Sequence, residues 1–281
     1  MPPEPFFCGP GLDRADPLRS DEAALAKLAE HPEARALKWR EGLPELSEDG
    51  RLAWQSGTHA ELFLGFDGEI PCFCSVEDTA AAARSAFPLL ALLAPDEAPL
   101  FAAALSLSRW HSRHRFCASC GASTRIVHGG WSRRCRDCAA EHFPRVDPVV
   151  IMLAEYNGKL LLGRQPHYPP ARYSALAGFV EVGESIEAAV ARELYEEAGV
   201  RVRDVAYVAS QPWPFPSSLM IGCTAKAAGP ELKVDTSELD DARWFSRADV
   251  AAALDGAPGA PFQAPPRAAI ARTLLERWLS S

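Results

Sequence analysis

The sequence predicts a mixed protein of helices and strands, of class α+β or α/β, with joints near residues 115 and 145. Three observations predict this class. An Asp-Gly pair at residues 67–68 and an Asn-Gly pair at residues 157–158 interrupt apolar runs, as tight hairpin turns do. Alanine- and leucine-rich runs, such as that within residues 79–115, are typical of helices. Four closely spaced cysteines indicate a small metal-binding module between the two joints.

The elements follow in chain order. Residues 1–30 predict an arm with one helix, residues 35–78 predict strands, and residues 79–115 predict two helices separated at Ala94-Pro95-Asp96. After the cysteines, the predicted strands are VVIMLAEY, KLLLGRQ, VRDVAYVAS, LMIGCTAKA and ARWF, and the predicted helices cover residues 185–198, 247–254 and 268–279. We therefore expect an N-terminal domain of strands then helices (1–112), a zinc ribbon (113–143) and a C-terminal domain (144–281).

Composition and charge exclude some classes of protein. The chain has 281 residues, of which 48% are hydrophobic and 23% are charged, as in ordinary globular proteins. It has no apolar run of about 18 residues, and residues 1–17 lack the pattern of a signal peptide, so we expect a cytoplasmic protein without membrane contact. The net charge of −8 argues against nucleic-acid binding over the whole surface. Residues 109–145 reverse the sign, with eight arginines and four histidines against two acids.

The four cysteines predict one structural zinc ion. Cys117, Cys120, Cys135 and Cys138 form two C-x2-C pairs, which present four thiolates to zinc and leave no position for water or substrate. Disulfides or idle thiols are the alternative. The scattered Cys8, Cys72, Cys74 and Cys223 predict packed thiols. The surrounding arginines either solvate a poorly cored module and donate to the zinc sulfurs, or form an anion-binding face.

The helix predicted at residues 185–198 has one acidic face. Ser185 suits its N-cap and Gly199 suits the left-handed residue after its last turn. Glu193, Glu196 and Glu197 share a face, and only Glu196 has Arg192 one turn behind it. A solvated acidic face is the ordinary outcome. The repulsion at these spacings, and the glycines just before the helix, instead favour a divalent cation such as Mg²⁺ or Mn²⁺.

The same residues resemble the signature box of the Nudix hydrolases, G-x5-E-x7-R-E-U-x-E-E-x-G-U, where U is a bulky apolar residue. The matching positions are Gly178, Glu184, Arg192, Glu193, Leu194, Glu196, Glu197, Gly199 and Val200. The resemblance implies an α/β/α sandwich with a mixed sheet. It also implies Mg²⁺- or Mn²⁺-dependent hydrolysis of a nucleoside diphosphate linked to another group.

A second stretch narrows the resemblance. SQPWPFPSSLM alternates prolines with Trp213 and Phe215, which predicts a stiff extended segment. Its flat rings either stack on a base or nicotinamide, or pack as core. It is similar to the SQPWPFPxS motif of the NAD(H) pyrophosphatases, a Nudix subfamily that carries a four-cysteine zinc ribbon. This resemblance implies hydrolysis of NADH or NAD⁺ to nicotinamide mononucleotide and AMP, removal of NAD caps from RNA 5′ ends in bacterial members, and a homodimer.

The resemblance also implies roles for individual residues. Two or three Mg²⁺ or Mn²⁺ ions would be held by Glu193, Glu197, Glu238 and the backbone carbonyl of Ala177. Glu197 or Glu238 would accept a proton from the attacking water, and Arg192 would orient the glutamates. The substrate would be bound by Phe143, Phe179, Gln211, Pro212, Trp213, Pro214, Phe215, Pro216, Ser217, Ser218 and Ala271. Two other readings remain: a zinc-ribbon RNA-binding protein that holds capped 5′ ends through its basic patch, and an inactive Nudix scaffold.

Overall fold

The computed structural model describes residues 3–9, 11–57, 61–77 and 82–281, with the backbone alone described for residues 82–85. The chain forms two compact units. The N-terminal unit comprises Phe7–Val146 and the short segment Pro212–Ser217. The C-terminal unit comprises the described residues up to Phe6, Asp147–Gln211 and Ser218–Ser281. The division into three domains remains a prediction.

The N-terminal unit contains three helices and nine strands within the described residues. They are α1 (Glu22–Ala29), β1 (Arg35–Leu37), β2 (Trp39–Arg40), β3 (Leu43–Pro44), β4 (Trp54–Ser56), β5 (Leu62–Asp67), β6 (Ile70–Cys74), α2 (Ala82–Leu92), α3 (Ala98–Arg113), β7 (Thr124–Val127), β8 (Ser132–Cys135) and β9 (Glu141–His142). The 3-10 helices Asp16–Ser20 and His128–Gly130 complete the set. One sheet has the order β4-β1-β6-β5, and the small sheet β7-β8-β9 carries part of the cysteine module.

Local signals in this half of the chain are confirmed. β5 and β6 form an antiparallel hairpin in which Asp67 pairs with Ile70, so the turn consists of Gly68, with a φ of 61°, and Glu69. The predicted helices are separated at Ala94, whose carbonyl accepts a hydrogen bond from the N–H of Glu97 at 3.0 Å. Residues 79–81 of the first predicted helix lie outside the described residues. Strand β1 lies at the start of the region predicted as strands, is three residues long and pairs in parallel with β6.

The C-terminal unit is built on one mixed sheet. Its elements are β10 (Asp147–Tyr156), β11 (Lys159–Arg164), β12 (Leu176–Phe179), α4 (Ile186–Ala198), β13 (Val202–Trp213, whose last two residues belong to the N-terminal unit), β14 (Ser218–Ala227), β15 (Asp241–Ser246), α5 (Arg247–Leu254) and α6 (Ile270–Ser280). The strand order is β13-β14-β10-β11-β15, and β12 also pairs with β10. β10 runs parallel to β14 and antiparallel to β11 and β12.

Helices cover both faces of this sheet. Val150 and Met152 of β10 pack in one core cluster with Leu194 of α4. Ile151 and Leu153 pack in a second cluster with helix α6 and part of α5. Neighbouring residues of a strand point to opposite faces, so one apolar strand supplies both cores. This arrangement confirms the predicted α/β/α sandwich.

The predicted ends of the acidic helix are also confirmed. The Ser185 side chain accepts a hydrogen bond from the N–H of Ala188, and Gly199 follows the helix with a φ of 72°. The final helix begins at Ile270, two residues later than predicted, after a turn closed by the N–H of Ala269 on the carbonyl of Pro266. Within the described residues, no helix combines the length and the apolar character that a membrane crossing requires.

Candidate active site and zinc site

Helix α4 places two glutamates beneath strand β12. Glu193 is 8% exposed and Glu197 is 3% exposed, whereas Glu196 on the next turn is exposed. The Glu193 carboxylate lies against Gly178, because a Cβ added at Gly178 would stand only 1.8 Å from the Glu193 Cδ. Gly178 is therefore required for close approach of the carboxylate to the strand. A solvated face, the ordinary outcome for such a helix, describes Glu196, whereas Glu193 and Glu197 are buried.

Arg192 holds the acidic residues in place. Its Nε donates to Glu184 Oε1 at 2.7 Å, and its Nη1 donates to Glu193 at 2.8 Å and to Glu196 at 2.9 Å. Its Nη2 donates to the Phe179 carbonyl at 2.8 Å and to Glu184 Oε2 at 2.9 Å. Helical spacing paired Arg192 with Glu196, and the resemblance implied that Arg192 orients the glutamates. The bonds to Glu184 and to the Phe179 carbonyl were not predicted, because helical spacing does not report contacts with a preceding loop. These bonds lower the pKa of Glu184 to about 2, with a further contribution from the backbone N–H of Glu181.

A backbone connection brings Glu238 to the same place. The N–H of Lys233 donates to the Ala198 carbonyl at 2.8 Å, and the N–H of Asp235 donates to the Glu197 carbonyl at 2.9 Å. The loop before β15 is thereby attached to the last turn of α4. Glu238, three residues after Asp235, is exposed, and its charge acts on both Glu193 and Glu197. The structure thus places Glu238 within electrostatic range of Glu193 and Glu197.

The electrostatics of this cluster are unfavourable without a cation. Burial, then the charges of Glu193 and Glu238, raises the pKa of Glu197 to about 8. Burial is also the largest cause that raises the pKa of Glu193, against the opposing effect of Arg192. Among the described residues Glu197 Oε2 is buried and has no hydrogen-bond partner. A buried carboxylate oxygen without a partner, with two further carboxylates in electrostatic range, is the kind of ligand that a hard divalent cation binds. Ala177, whose carbonyl is the fourth predicted ligand, directly precedes Gly178 on β12.

Tyr168 was not predicted from the sequence. It lies in the loop between β11 and β12, where burial and then the charge of Glu197 raise the pKa of its phenol. The loop reads QPHYPPAR, which indicates a turn and carries no motif or periodicity. Only the folded loop shows that this residue lies within electrostatic reach of the glutamates.

The predicted substrate residues occupy different environments. In the C-terminal unit, Gln211 and Ser218 are buried, Phe179 is 59% exposed, and Ala271 lies in the core at 1% exposure. Gln211 Nε2 donates to the Ala268 carbonyl at 3.0 Å, while Gln211 Oε1 is buried and, among the described residues, has no partner. In the N-terminal unit, Phe143 is 66% exposed. Their contacts with substrate remain predictions.

The two rings of the predicted stacking segment pack with each other in the N-terminal unit. Trp213 and Phe215 meet edge to face with centroids 5.2 Å apart, and Trp213 also meets Phe7 edge to face at 5.9 Å. Phe7 is 1% exposed, while Trp213 and Phe215 are half-buried. Both rings therefore take part in packing, and their stacking on a base or nicotinamide remains a prediction.

The four cysteines form one compact cluster. All four sulfurs lie within 4.8 Å of one another, and three of the separations are 3.4, 3.5 and 3.7 Å. A zinc ion with four Zn–S bonds of about 2.3 Å needs sulfurs about 3.8 Å apart, so the cluster fits zinc. The backbone N–H groups of Ser119 and Asp137 each lie 3.4 Å from a cysteine sulfur. N–H groups, those of Cys138 and Asp137, lower the pKa of Cys135, as a thiolate ligand requires.

The arginine-rich segment presents less charge at the surface than its composition indicates. Arg125 pairs with Glu22 at 3.1 Å, and Arg134 pairs with Glu141. Arg133 is 7% exposed and faces inward. The exposed arginines of the segment are Arg113, Arg115, Arg136 and Arg145.

Arg133 is part of a buried hydrogen-bond network with His111. Its Nη1 lies 2.9 Å from His111 Nδ1, and His111 Nε2 lies 2.7 Å from the Gly130 carbonyl. A guanidinium only donates, so Nδ1 accepts, Nε2 donates and the imidazole is neutral. Burial, with a smaller effect from Arg133, lowers the pKa of His111 to about 4.

Known proteins resemble this chain over most of its length. "NAD-capped RNA hydrolase NUDT12" from Homo sapiens is 43% identical over 256 residues, which are 87% of this chain and 54% of that protein. "NAD-capped RNA hydrolase NudC" from Stutzerimonas stutzeri is 42% identical, over 66% of this chain and 63% of that protein. "NAD(P)H pyrophosphatase NUDT13, mitochondrial" from Mus musculus is 40% identical, over 69% and 58%. The chain thus spans about half to two thirds of the length of these relatives.

Two protein families match consecutive parts of the chain, one with the zinc site and the other with the glutamate site. Residues 112–143 match the family described as "NADH pyrophosphatase zinc ribbon domain", which contains the cysteine cluster. Residues 144–264 match the family described as "NUDIX domain", which contains the three glutamates and Arg192. Together the matches cover residues 112–264, more than half of the chain, and the chain therefore belongs to the Nudix hydrolases, in the group whose Nudix domain follows an NADH pyrophosphatase zinc ribbon.

Proposed function

We propose that this protein hydrolyses the pyrophosphate bond of NADH or NAD⁺ to nicotinamide mononucleotide and AMP, and that the reaction depends on Mg²⁺ or Mn²⁺. One observation carries the proposal: the buried Glu197 Oε2 has no partner among the described residues and shares its surroundings with Glu193 and Glu238. Glu193, Glu197, Glu238 and the Ala177 carbonyl would hold two or three such cations, which would satisfy that oxygen and relieve the mutual repulsion.

The residues of the cluster have separate tasks. Glu193 and Glu197 approach from α4, and Glu238 approaches from the loop attached to its last turn. A divalent cation held by these residues would supply charge to neutralise phosphate oxygens and would lower the pKa of a water molecule. The proton of the attacking water passes to Glu197 or Glu238. Glu238 is exposed and accessible to water, whereas Glu197 offers the free buried oxygen.

Arg192 acts on the reaction through the glutamates. Its three nitrogens already donate to Glu184, Glu193, Glu196 and the Phe179 carbonyl. Its side chain is therefore committed to holding the cluster, which makes Arg192 a positioning residue. The predicted contacts of Phe143, Phe179, Ala271 and residues 211–218 with the substrate are part of the proposal.

We also propose that the substrates include RNA that carries an NAD cap. Two of the relatives are named as NAD-capped RNA hydrolases, and the exposed arginines Arg113, Arg115 and Arg136 are available to RNA phosphates. The alternative is a protein that holds capped ends through these arginines without cleaving them. If the arginines bind RNA, cleavage of capped RNA will fall steeply with salt while hydrolysis of free NADH will not.

The decisive experiment is purified protein with Mg²⁺ or Mn²⁺ and a panel of NADH, NAD⁺, other dinucleotides and NAD-capped RNA, with products identified by mass. Nicotinamide mononucleotide and AMP are the expected products. Failure to cleave any member of the panel with folded, zinc-loaded protein would refute the proposed activity. Calorimetry with each ion in turn measures whether the protein binds Mg²⁺ or Mn²⁺ more tightly.

Two further features are proposed from the family resemblance. The protein is a homodimer, which light scattering coupled to size exclusion will test. It works in the cytoplasm, where reduced thiols allow the four-cysteine zinc site to form.

A further inference from the structure

Arg172 lies in the loop between β11 and β12, within the C-terminal unit. Its Nε is buried and, among the described residues, has no hydrogen-bond partner. Two other arginines of the same unit have acidic partners: Arg164 pairs with Asp240 at 3.0 Å, and Arg243 pairs with Asp241 at 2.6 Å. A buried guanidinium N–H without an acceptor costs free energy. An anion that binds at Arg172 would supply the missing acceptor.

Hydrogen bonds fix the backbone around Arg172. The N–H of Arg172 donates to the Pro169 carbonyl at 3.1 Å and closes a turn in which Ala171 has a φ of 64°. Proline at the second position and a positive φ at the third are features of a type II turn, which usually has glycine at the third position. The Gln263 N–H donates to the Ala171 carbonyl at 2.8 Å. The fold thus holds an alanine in a conformation that costs free energy, and this turn sets the position of Arg172.

Tyr168 connects this arginine with the glutamate cluster. Burial raises the pKa of the Tyr168 phenol, the charge of Glu197 raises it further, and the charge of Arg172 opposes both. The phenol is therefore within electrostatic range of both charged groups. The loop leads into β12, which carries Ala177, the residue whose carbonyl is a predicted cation ligand. Arg192 donates to the glutamates, whereas Arg172 brings to the same surroundings an Nε with no acceptor in the described chain.

A diphosphate has the acceptors that this guanidinium lacks. Each phosphate group presents several oxygens, and a guanidinium can donate to two of them with matching geometry. The glutamates would hold cations at one part of the diphosphate, and an arginine near them donates to oxygens that the cations do not contact. An arginine in this position therefore favours a substrate that carries phosphate.

We propose that Arg172 is a phosphate-binding residue of the active site and that its guanidinium donates to the diphosphate of the dinucleotide. The inference rests on the proposed function for the identity of the ligand. It assigns a substrate contact to the loop between β11 and β12, for which the sequence motifs name no residue. Arg172 binds the substrate and transfers no proton.

The test compares variants that keep the length of the side chain. Arg172→Met removes the charge and every donor, and Arg172→Lys keeps the charge without the two-pronged geometry. Arg243→Met is the matched control, because Arg243 lies in the same unit and has Asp241 as its partner. Binding of ADP-ribose is measured by calorimetry without Mg²⁺ or Mn²⁺, where turnover is not expected. KM and kcat for NADH are measured with the cation present, and unfolding midpoints are measured in urea.

We expect Arg172→Met to weaken ADP-ribose binding and to lower kcat/KM for NADH by about tenfold to a hundredfold, the range for loss of a charged hydrogen bond. Arg172→Lys should recover part of the loss, and Arg243→Met should resemble the wild type. The unfolding midpoint of Arg172→Met should equal or exceed that of the wild type, because the change removes a buried N–H without a partner. A residue that only supports the fold would lower the midpoint when replaced.

Wild-type affinity and kinetics in Arg172→Met would overturn the inference. An equal loss of binding in Arg172→Met and Arg172→Lys, with a lower unfolding midpoint in both, would also overturn it, because the loss would then follow the fold. If Arg172→Met fails to fold, Arg172→Gln, which removes the charge and keeps a polar side chain, takes its place in the test.

The two proposals fail separately. A wild type that cleaves NADH with kinetics independent of Arg172 refutes the phosphate contact and leaves the activity. A wild type that binds ADP-ribose through Arg172 but cleaves no dinucleotide refutes the activity and leaves the phosphate contact.

Discussion

Replacement of Glu197 by glutamine tests the central physical claim. Glutamine keeps the size of the side chain and removes its charge. Burial and two neighbouring carboxylates raise the pKa of Glu197 to about 8. Below that pH, the Glu197 carboxyl of the cation-free protein is therefore mainly protonated. We expect Glu197→Gln to lower turnover by at least about 10²-fold, the lower end for loss of a general base. The same change should make the cation-free fold more stable at high pH.

The magnitude follows from the shift in pKa. The folded pKa of about 8 lies above the ordinary glutamate value of 4.5. A group with a raised folded pKa contributes stability below its unfolded pKa and loses it as pH rises through the folded value. At about 1.4 kcal/mol per unit the ceiling is about 5 kcal/mol at pH 8 and above. Glu193 and Glu238 take part in the same repulsion, so the effect of Glu197 is smaller than this ceiling. We expect the free energy of unfolding to lose about 2–4 kcal/mol through Glu197 as the pH rises from 5 to 8.

The assay is urea unfolding from pH 5 to pH 8.5, without Mg²⁺ or Mn²⁺ and with zinc verified at one ion per chain. Glu196→Gln is the matched control, because Glu196 is exposed and its removal should leave the pH dependence of the wild type. Adding Mn²⁺ should stabilise the wild type and have little effect on Glu197→Gln. Parallel pH curves for the wild type and Glu197→Gln, or equal stabilisation by Mn²⁺, would refute the reasoning.

Three further predictions test other parts of the molecule. Gly178→Ala should lower kcat/KM by more than tenfold with the fold retained, because the added Cβ meets the Glu193 carboxylate; unchanged kinetics would contradict the close approach. Cys135→Ser should abolish zinc retention, measured by elemental analysis, and lower the unfolding midpoint of the N-terminal unit, whereas a variant that keeps zinc would argue against the site. The pKa of His111 is lowered to about 4, below the unfolded value of 6.5. The free energy of unfolding should therefore fall by about 2 kcal/mol as the pH is lowered from 7 to 5. A zinc-loaded His111→Gln variant should show a flatter dependence over that range, and an identical slope would show that another group titrates.

Much of the local structure was predictable because its causes lie within a few residues. Ser185 and Gly199 bound α4 because a hydroxyl satisfies free N–H groups and glycine accepts a positive φ. The Asn157-Gly158 turn joins β10 to β11, with φ values of 47° and 74°. The cysteine spacing likewise predicted a compact cluster, which the sulfur positions confirm.

Contacts between distant parts of the chain were not predictable from such signals. Strand β12 was missed because its residues LAGF carry little pattern, and its pairing with β10 depends on the fold. The close approach of Glu193 to that strand depends on Gly178. The arginine count overstated the basic surface because Arg133 faces inward, which a sum of charges cannot show.

The sequence by itself determined the kinds of ligand: hard carboxylate oxygens at helical spacing for a divalent cation, and four thiolates at knuckle spacing for zinc. Only the tertiary structure decided which carboxylates are buried and which of them accept hydrogen bonds from Arg192. It also decided that the ring of Phe87 stacks on that of Phe215. The physical reason is range. Backbone conformation and donor type depend on near neighbours in the chain, whereas desolvation and ring contacts depend on residues that only folding brings together.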